Sequence, residues 1–540
     1  MNTVSPQKDN PSIFGPLREP IYRALWIATV ASNIGTWMQD VGAAWLMTSI
    51  APSPAMVALV RSASSLPIFL LALPAGALAD VVDRRRLLIA TQTWMLVAAA
   101  ILGVLTIIGM TTPWLLLVLT FTLGLGTALN APAWQAIIPE LVPQSQVGNA
   151  ISLNSTSINL ARSIGPAIGG LLIAAAGPGV TFLLNALSFS GVILVLYRWR
   201  RGANVSVLPA ERVLGAIRAG LRYVRHSPPV RAVLARSGAF ILFASALWGL
   251  LPAAARFEFG RGPTGYGVML GAFGLGAVAA AAVLPRLRRN TNMDNLVTGA
   301  ILIYAAGLTV FAWIRIFVIA DLAMFACGAA WLSLLSTFNS SIQVVVPSWV
   351  RGRVLAISIL VIFGGLALGS VFWGYIADVW GIPIALTAAA AGICAGLLAT
   401  RHRHLHHGRE IDLTPSMHWP APQPVRVPPP DHGPVVVTVE YRVDHTHAAE
   451  FLRALQQVRR IRRRDGAISW AVLNDVADPG RYTEVFVVES WLEHLRQHER
   501  VTKADREILD RPQAFHIGPK PPTVTHYMVE PTPNAKPATQ

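Results

Sequence analysis

Apolar stretches long enough to cross a bilayer recur up to residue 400, separated by short polar breaks. A hydrocarbon core ~30 Å thick needs ~20 mostly apolar residues per spanning helix. By that measure the sequence predicts twelve spans, over 24–48, 54–79, 87–110, 113–135, 149–175, 179–198, 233–254, 264–285, 294–314, 317–345, 353–377 and 382–400. The breaks are short apart from a central loop at 201–232, so the spans divide into two six-helix halves, 24–200 and 233–400. A polar segment at 1–23 precedes them. It carries Pro6, Pro11, Pro16 and Pro20 and lacks the short apolar run and cleavage site of a signal peptide, so the first span is expected to remain in the membrane.

Inside the central loop, 211–225 places Leu214, Ile217, Leu221 and Val224 at helical spacing, with Arg218, Arg222 and Arg225 elsewhere on the wheel. This basic amphipathic helix either lies on an anionic leaflet or packs beneath the bundle. After residue 400 the pattern changes. The linker 401–434 is rich in His and Pro; His402, His404, His406 and His407 alternate with arginines, which fits a basic lipid-facing segment better than a metal site, and its Pro-rich part is semi-rigid. The following 435–530 read as strand 435–443, helix 448–464 with Phe451, Leu452, Leu455 and Val458 on one face, strands 468–474 and 482–489 around the turn Asp478-Pro479-Gly480, helix 491–500 and strand 524–529. That β-α-β-β-α-β order is ferredoxin-like. The tail 531–540 is expected to be disordered. The predicted fold class is thus an all-α membrane protein with a C-terminal ferredoxin-like α+β domain.

Composition agrees: 53% of residues are hydrophobic, 13% are charged and mean hydropathy is +0.49. A net charge of +16 in a soluble chain would point to nucleic acid. Here the arginines are distributed by loop, so no nucleic-acid partner is expected. One set of loops holds Arg84, Arg85 and Arg86; Arg198, Arg200 and Arg201; Arg286, Arg288 and Arg289; Arg351 and Arg353; and Arg401 and Arg403. The opposite set holds little beyond Arg256, Arg261 and Arg315. The positive-inside rule makes the first set cytoplasmic, and with it both termini of a multi-pass protein of the bacterial inner membrane. Cys327 and Cys394 sit far apart in apolar runs, as small buried hydrophobes rather than a disulfide framework.

Ionisable side chains inside a bilayer are costly and mark function. Asp40 in the first span and Arg61 in the second lie at matching depths, within one helical turn, and are expected to pair or to share a water-filled vestibule. Asp40 is the one carboxylate well inside a span. Burial and a neighbouring arginine act on it in opposite senses, so an arginine that moves away would let it take up and release a proton. This makes Asp40 the candidate for proton coupling, against a static ion pair. Arg162, midway along the fifth span, either faces the cavity, favouring anionic substrates, or bonds between helices. Asn33, Gln39, Asn154, Ser157 and Asn159 line the same cavity or bond between helices.

Three motifs carry a family resemblance. The loop after the second span reads Gly76-Ala77-Leu78-Ala79-Asp80-Val81-Val82-Asp83-Arg84-Arg85-Arg86 and resembles the signature of the major facilitator superfamily. Val81 stands where a basic residue is common and Asp83 where Gly is common. The resemblance implies a cytoplasmic latch in which Gly76 permits close helix approach, Asp80 caps or pairs at a helix end, Asp83 pairs with the arginine run, and Arg84, Arg85 and Arg86 meet carboxylates or lipid phosphates. The matching loop of the second half, Pro285-Arg286-Leu287-Arg288-Arg289, keeps only the basic part. In the fifth span, Gly165-Pro166-Ala167-Ile168-Gly169-Gly170 resembles the segment of the superfamily's proton-coupled exporters, its glycines allowing tight packing and its proline a bend. Together with Val142-Pro143 and Asn149-Ala150-Ile151-Ser152 it is weakly repeated by Val346-Pro347, Leu355-Ala356-Ile357-Ser358, Gly364-Gly365 and Gly369, in keeping with parallel six-helix repeats around a midplane cavity. Trp37-Met38-Gln39-Asp40, Trp45-Leu46 and Asn159-Leu160-Ala161-Arg162 make residues 15–400 similar to the branch that includes the bacterial enterobactin exporter. In the tail, Glu489-Ser490-Trp491-Leu492-Glu493-His494-Leu495-Arg496-Gln497-His498 resembles the antibiotic biosynthesis monooxygenase type of dimeric α/β barrel.

The expected function is secondary active transport, proton-coupled efflux of a drug-like or siderophore-like small molecule by alternating access, with membrane lipids around it and a dimer through the C-terminal domain as a possible assembly. No ATP-binding loop of the Gly-x-x-x-x-Gly-Lys-Ser/Thr kind occurs, which disfavours ATP-driven transport. The alternatives are uptake, lipid flipping, or an anchored enzyme or sensor acting through the monooxygenase-like domain. That domain has no nucleophile–base set and no metal signature, although His494 and His498 share a helix face. No enzyme activity, metal or cofactor is expected.

Overall fold

A computed structural model describes residues 14–199, 213–405, 412–416, 428–429 and 432–530. Segment 1–23, the central loop and the linker 401–434 lie partly outside these residues, and His406, His407 and the tail 531–540 wholly so.

Proline and small polar residues set the helix starts. The helices are α1 (Pro20–Ile50), α2 (Pro54–Val81), α3 (Arg84–Ile107), α4 (Pro113–Leu141), α5 (Val147–Ala176), α6 (Pro178–Arg198), α7 (Val213–His226), α8 (Pro228–Ala253), α9 (Pro263–Asn290), α10 (Met293–Trp313), α11 (Phe317–Val345), α12 (Ser348–Trp380) and α13 (Ile382–Thr400). Proline occupies the first turn of α1, α2, α4, α6, α9 and α13, where its missing N–H costs nothing. Ser53, Asp83, Thr112 and Asn292 accept backbone N–H groups at the starts of α2, α3, α4 and α10. Gly177 and Gly381, at φ 79° and 89°, turn the chain between α5 and α6 and between α12 and α13. Among the described residues eleven helices are long and apolar enough to cross a membrane. α1 has the length, 31 residues, but is not one of the eleven; Arg23, Asn33, Gln39 and Asp40 dilute its apolar content. Helices α1, α5 and α12 begin earlier than the apolar pattern predicts, because a helix continues into its polar flank.

The chain forms two compact units. The first comprises Met1–Ala210, Leu234–Phe338 and Ser358–His402. In it α2 packs on α4, α3 on α6, α1 on α5 and α6, α5 on α9, and α10 on α13. Leu25, Leu88, Ile137 and Leu196 form one apolar knot of the interior, while Leu187 (68% exposed) and Val318 (66%) are outward side chains suited to lipid.

The second unit comprises Glu211–Val233, Asn339–Ile357 and Arg403–Gln540. Its sheet has strands β1 (Val435–Arg442), β2 (Ala467–Asn474), β3 (Arg481–Val488) and β4 (Thr523–Met528), in the order β2-β3-β1-β4 with every neighbour antiparallel. Alternate residues of β1 and β3 are buried, as strands covered on one face require. Phe451 and Leu455 of α14 (Ala448–Asp465) and Trp491 of α15 (Trp491–Arg500) cover that face. A short helix, α16 (Lys503–Asp510), is absent from the sequence reading; a Thr502–Asp505 capping box starts it, and eight polar-rich residues give no visible period.

Helix α7 packs against α14. Its buried stripe is not the predicted one: Ala219 and Tyr223 are inside, whereas Leu221 is 51% exposed. Tyr223 meets Trp349 edge-on at 5.8 Å and the Arg464 guanidinium at 5.4 Å. Glu493 of α15 accepts from Arg222 of α7 at 2.8 Å and from Arg500 at 2.5 Å.

Candidate substrate cavity

Residues three and four apart share a helix face. Trp37, Asp40 and Ala44 therefore look one way from α1, and Val57, Arg61 and Ser64 one way from α2. These faces line one cavity of the first unit, closed by Trp248 of α8 and Tyr266 of α9. Asp40 and Arg61 share its wall within electrostatic reach, but make no direct ion pair among the described residues. The Arg61 guanidinium instead lies 5.0 Å from the Trp248 ring, and that of Arg162 lies 5.6 Å from the Trp37 ring. The two tryptophans are 6.5 Å apart, and Tyr266 stacks on Trp45 at 6.3 Å. The Nε atoms of Arg61 and Arg162 are buried without an acceptor among the described residues. This aromatic lining is what sequence reasoning missed. In a chain this apolar, tryptophans on helices far apart in sequence give no periodic signal, and a search for arginine partners among acids alone overlooks ring faces.

The predicted polar residues divide. Asn33 and Asn154 line a second cavity of about 160 Å³ between α1, α3, α4, α5 and α6. Asn33 Nδ2 donates to Ser157 Oγ at 3.1 Å, and Asn154 accepts from Trp134 Nε1 at 3.2 Å. Gln39 accepts from Asn185 Nδ2 at 2.6 Å, joining α1 to α6. Asn159 donates to the Ser155 carbonyl of its own helix.

At the loop between α2 and α3, Asp83 caps α3 by accepting from the Arg86 N–H at 2.8 Å. Arg84 pairs with Glu140 of α4 at 2.7 Å. Arg85 donates to the Leu196 and Tyr197 carbonyls, both at 2.7 Å, where the C-terminal end of α6 favours a cation. Asp80 lies in the last turn of α2. The expectation of close helix approach at Gly76 is corrected: among the described residues nothing lies within 4 Å of where a Cβ would stand. Close approach occurs instead at the α5 motif. A Cβ on Gly165 would stand 2.6 Å from Trp37 Cβ, on Gly169 3.0 Å from Met38 Cα, and on Gly170 2.7 Å from the Pro263 carbonyl oxygen. Pro166, inside α5, turns its own carbonyl oxygen toward α9, 2.8 Å from where a Cβ on Gly267 would stand.

In the C-terminal sheet domain His494 is 3% exposed, its ring centroid 5.0 Å from His498 and 4.7 Å from His526. The described residues contain no group of three such side chains arranged to hold a metal. Burial lowers the His494 pKa to about 3, with His526, His498 and Arg462 adding repulsion. An unfolded histidine titrates near 6.5, so below that pH the unfolded chain binds a proton that the folded domain refuses. Stability is therefore expected to fall by about 1.4 kcal/mol per pH unit from pH ~6.5 downward. Half-buried His526, also lowered by burial, adds in the same direction. Amide exchange of β1 and β3 in the intact protein, compared between pH 7 and 5, would measure this loss; His494→Leu should flatten it, and an unchanged slope in the variant would refute the assignment.

Long apolar helices packed around a charged internal cavity define a multi-pass membrane transporter. The profile of the transmembrane secretion effector family, within the major facilitator superfamily, matches residues 11–534, and the chain belongs to this family. It is 28% identical to the staphyloferrin A transporter of Staphylococcus aureus over 65% of this chain and 87% of that one. It is 26% identical to the multidrug efflux pump Tap of Mycolicibacterium fortuitum over 73% and 98%. Among solved structures, the nucleoside transporter NupG aligns with a TM-score of 0.58 at 12% identity over 71% of this chain and 99% of that one. A bacterial homologue of the iron transporter ferroportin aligns with 0.55 at 15% identity over 71% and 98%. These two likenesses concern the fold. The relatives are transporters, and so is this chain, not an enzyme.

Proposed function

We propose that the protein is a proton-coupled exporter of a small molecule, working by alternating access in the bacterial inner membrane with both termini cytoplasmic. On this reading α1 joins the eleven apolar helices as a twelfth span, and the spans form two six-helix halves. The observation that carries it is the Asp40 carboxylate in one cavity wall with Arg61 but not paired to it, bordered by helices of both halves. A displacement of Arg61 relative to Asp40 alters which charge state of the carboxyl is favoured, and that is the element a proton-driven cycle needs. The relative named a multidrug efflux pump supports export; the glycine motif of α5 supports it too. The loop Gly76 to Arg86 serves as the gating latch in this scheme, through the Arg84–Glu140 pair and the Arg85 contacts. The strand order β2-β3-β1-β4 supports a ferredoxin-like C-terminal domain of 435–530, acting as a regulatory or dimerising module rather than a monooxygenase.

The test is efflux from a sensitised bacterial host expressing wild type or Asp40→Asn, screened against drugs and siderophores with and without a proton uncoupler. Uncoupler-sensitive efflux is expected to fall at least ~100-fold in Asp40→Asn, the loss of a transported charge site rather than of packing. Undiminished uncoupler-sensitive efflux by the variant sinks the coupling role. Accumulation instead of efflux turns the reading to uptake.

A further inference from the structure

Two charges line the cavity described above and a third stands just behind its wall, and they do not cancel in pairs. Asp40 and Arg61 face the same space without a direct ion pair among the described residues, and Arg162 stands behind the Trp37 ring. A charge withdrawn from water and left unpaired is costly, and removing one member of a buried pair costs more than the pair gains. The two guanidiniums rest on the faces of Trp248 and Trp37, and each keeps a buried Nε without an acceptor. The Asp40 carboxylate, of opposite sign, shares the cavity wall with Arg61 and makes no ion pair among the described residues. A ligand of one sign therefore satisfies only part of this site. A cation that reaches Asp40 meets repulsion from two arginines. An anion that reaches the guanidiniums leaves Asp40 uncompensated.

We propose that this cavity, about 50 Å³ in this arrangement of the helices and wider once the two halves rock apart, selects zwitterions: small molecules that carry an ammonium and a carboxylate on an aromatic frame. The inference rests on the transporter reading of the same cavity and names its substrate class. The ammonium meets Asp40, the carboxylate meets Arg61 with Arg162 behind it, and the frame lies against Trp37, Trp248 and Tyr266. With two guanidiniums to one carboxylate, the anionic end is the more strongly held. The ammonium and a proton then compete for one carboxylate, whose charged and titratable neighbours are Arg61 on α2 and Tyr266 on α9, with Arg162 on α5 beyond Arg61. Mutual exclusion of proton and substrate at a shared group is the negative coupling that exchange transport requires.

The test uses full-length protein purified in detergent and three probes that differ only in charge: phenylalanine, phenethylamine and 3-phenylpropionate, titrated calorimetrically at pH 7. Phenylalanine is expected to bind at least ten-fold more tightly than either single-charge probe. Asp40→Asn should reduce it to the level of 3-phenylpropionate, and Arg61→Gln to that of phenethylamine. Asp40→Glu and Arg61→Lys, which keep the charges, should retain the preference and guard against misfolding of the neutral variants. Asn154→Ala, in the second cavity, should leave it unchanged. Equal binding of one single-charge probe, a preference that survives both neutral variants, or no binding of any probe overturns the proposal. Uncoupler-sensitive efflux is scored separately. Zwitterion preference without any transport would sink the transporter reading and leave the site. Efflux of other compounds without that preference would sink the site assignment alone.

Discussion

Arg464→Met is expected to destabilise the C-terminal sheet domain by about 3–5 kcal/mol, the cost of leaving buried charge without its partner. Arg464 donates to both oxygens of Asp465, at 2.8 and 3.0 Å, and of Asp505, at 3.0 and 2.7 Å, while its guanidinium lies over Tyr223. Both acids are inside, 2% and 6% exposed. Burial raises the Asp465 carboxyl despite the arginine beside it. For Asp505 burial also pushes upward, but Arg464 and the Thr502 hydroxyl and N–H outweigh it and hold the carboxyl below its usual value. A depressed carboxyl contributes stability above its unfolded pKa and loses it as pH falls, so the Asp505 contribution is full at neutral pH and vanishes in acid. Asp505 also closes the capping box of α16, which Arg464→Met leaves in place, so the loss is that of the buried charge pairing and not of the helix start. Amide exchange across β1 and β3 in the intact protein measures the loss. Arg464→Lys should fall between wild type and Arg464→Met, since one ammonium cannot serve four oxygens. Adding Asp465→Asn and Asp505→Asn to Arg464→Met should restore part of the stability. A loss under about 1 kcal/mol in Arg464→Met would show the carboxylates to be solvated rather than buried.

This network was beyond the reach of the sequence for a plain reason. Arg464, Asp465 and Asp505 read as ordinary charged residues at a helix end and in a polar segment, and only the folding of α16 against α14 puts them in one place. The long helices were legible because a period-free apolar run of span length has few other readings. β1 and β3 were legible from alternation. Asp40 and Arg61 were legible as charges at one depth, since rise per residue is a property of the helix itself. Their rotation is not: whether an arginine turns to a carboxylate or to a ring is set by neighbours such as Trp248, nearly two hundred positions away. The same limit explains Gly76, whose expected close approach belongs to the glycines of α5. It also explains Glu140, the partner of Arg84, which no local pattern singles out.

The glycines of α5 and α9 carry the second large effect. A Cβ added to Gly170 would stand 2.7 Å from the Pro263 carbonyl oxygen and 3.1 Å from Gly267 Cα; one added to Gly267 would stand 2.8 Å from the Pro166 carbonyl oxygen and 3.2 Å from Gly170 Cα. These neighbours are backbone atoms, so no rotamer change relieves the contact and the helices themselves must part. Gly274 repeats the arrangement further along α9, where an added Cβ would stand 2.9 Å from Ser163 Cα. Small residues on both partners are how helices reach such closeness in a membrane, where lipid offers no hydrophobic drive to bring them together. Gly170→Val and Gly267→Val are each expected to cost about 1–3 kcal/mol of the close-packed arrangement, which lowers its population roughly ten- to hundred-fold. Transport that passes through this arrangement slows by the same factor. Spin labels on α5 and α9 should report a longer and broader distance in either variant, together with the fall in rate. Because both substitutions disturb one contact, the double variant should cost less than the sum of the two. Unchanged transport in both single variants would mean that the α5–α9 contact is a static seam, and that any movement of the cycle lies elsewhere in the bundle.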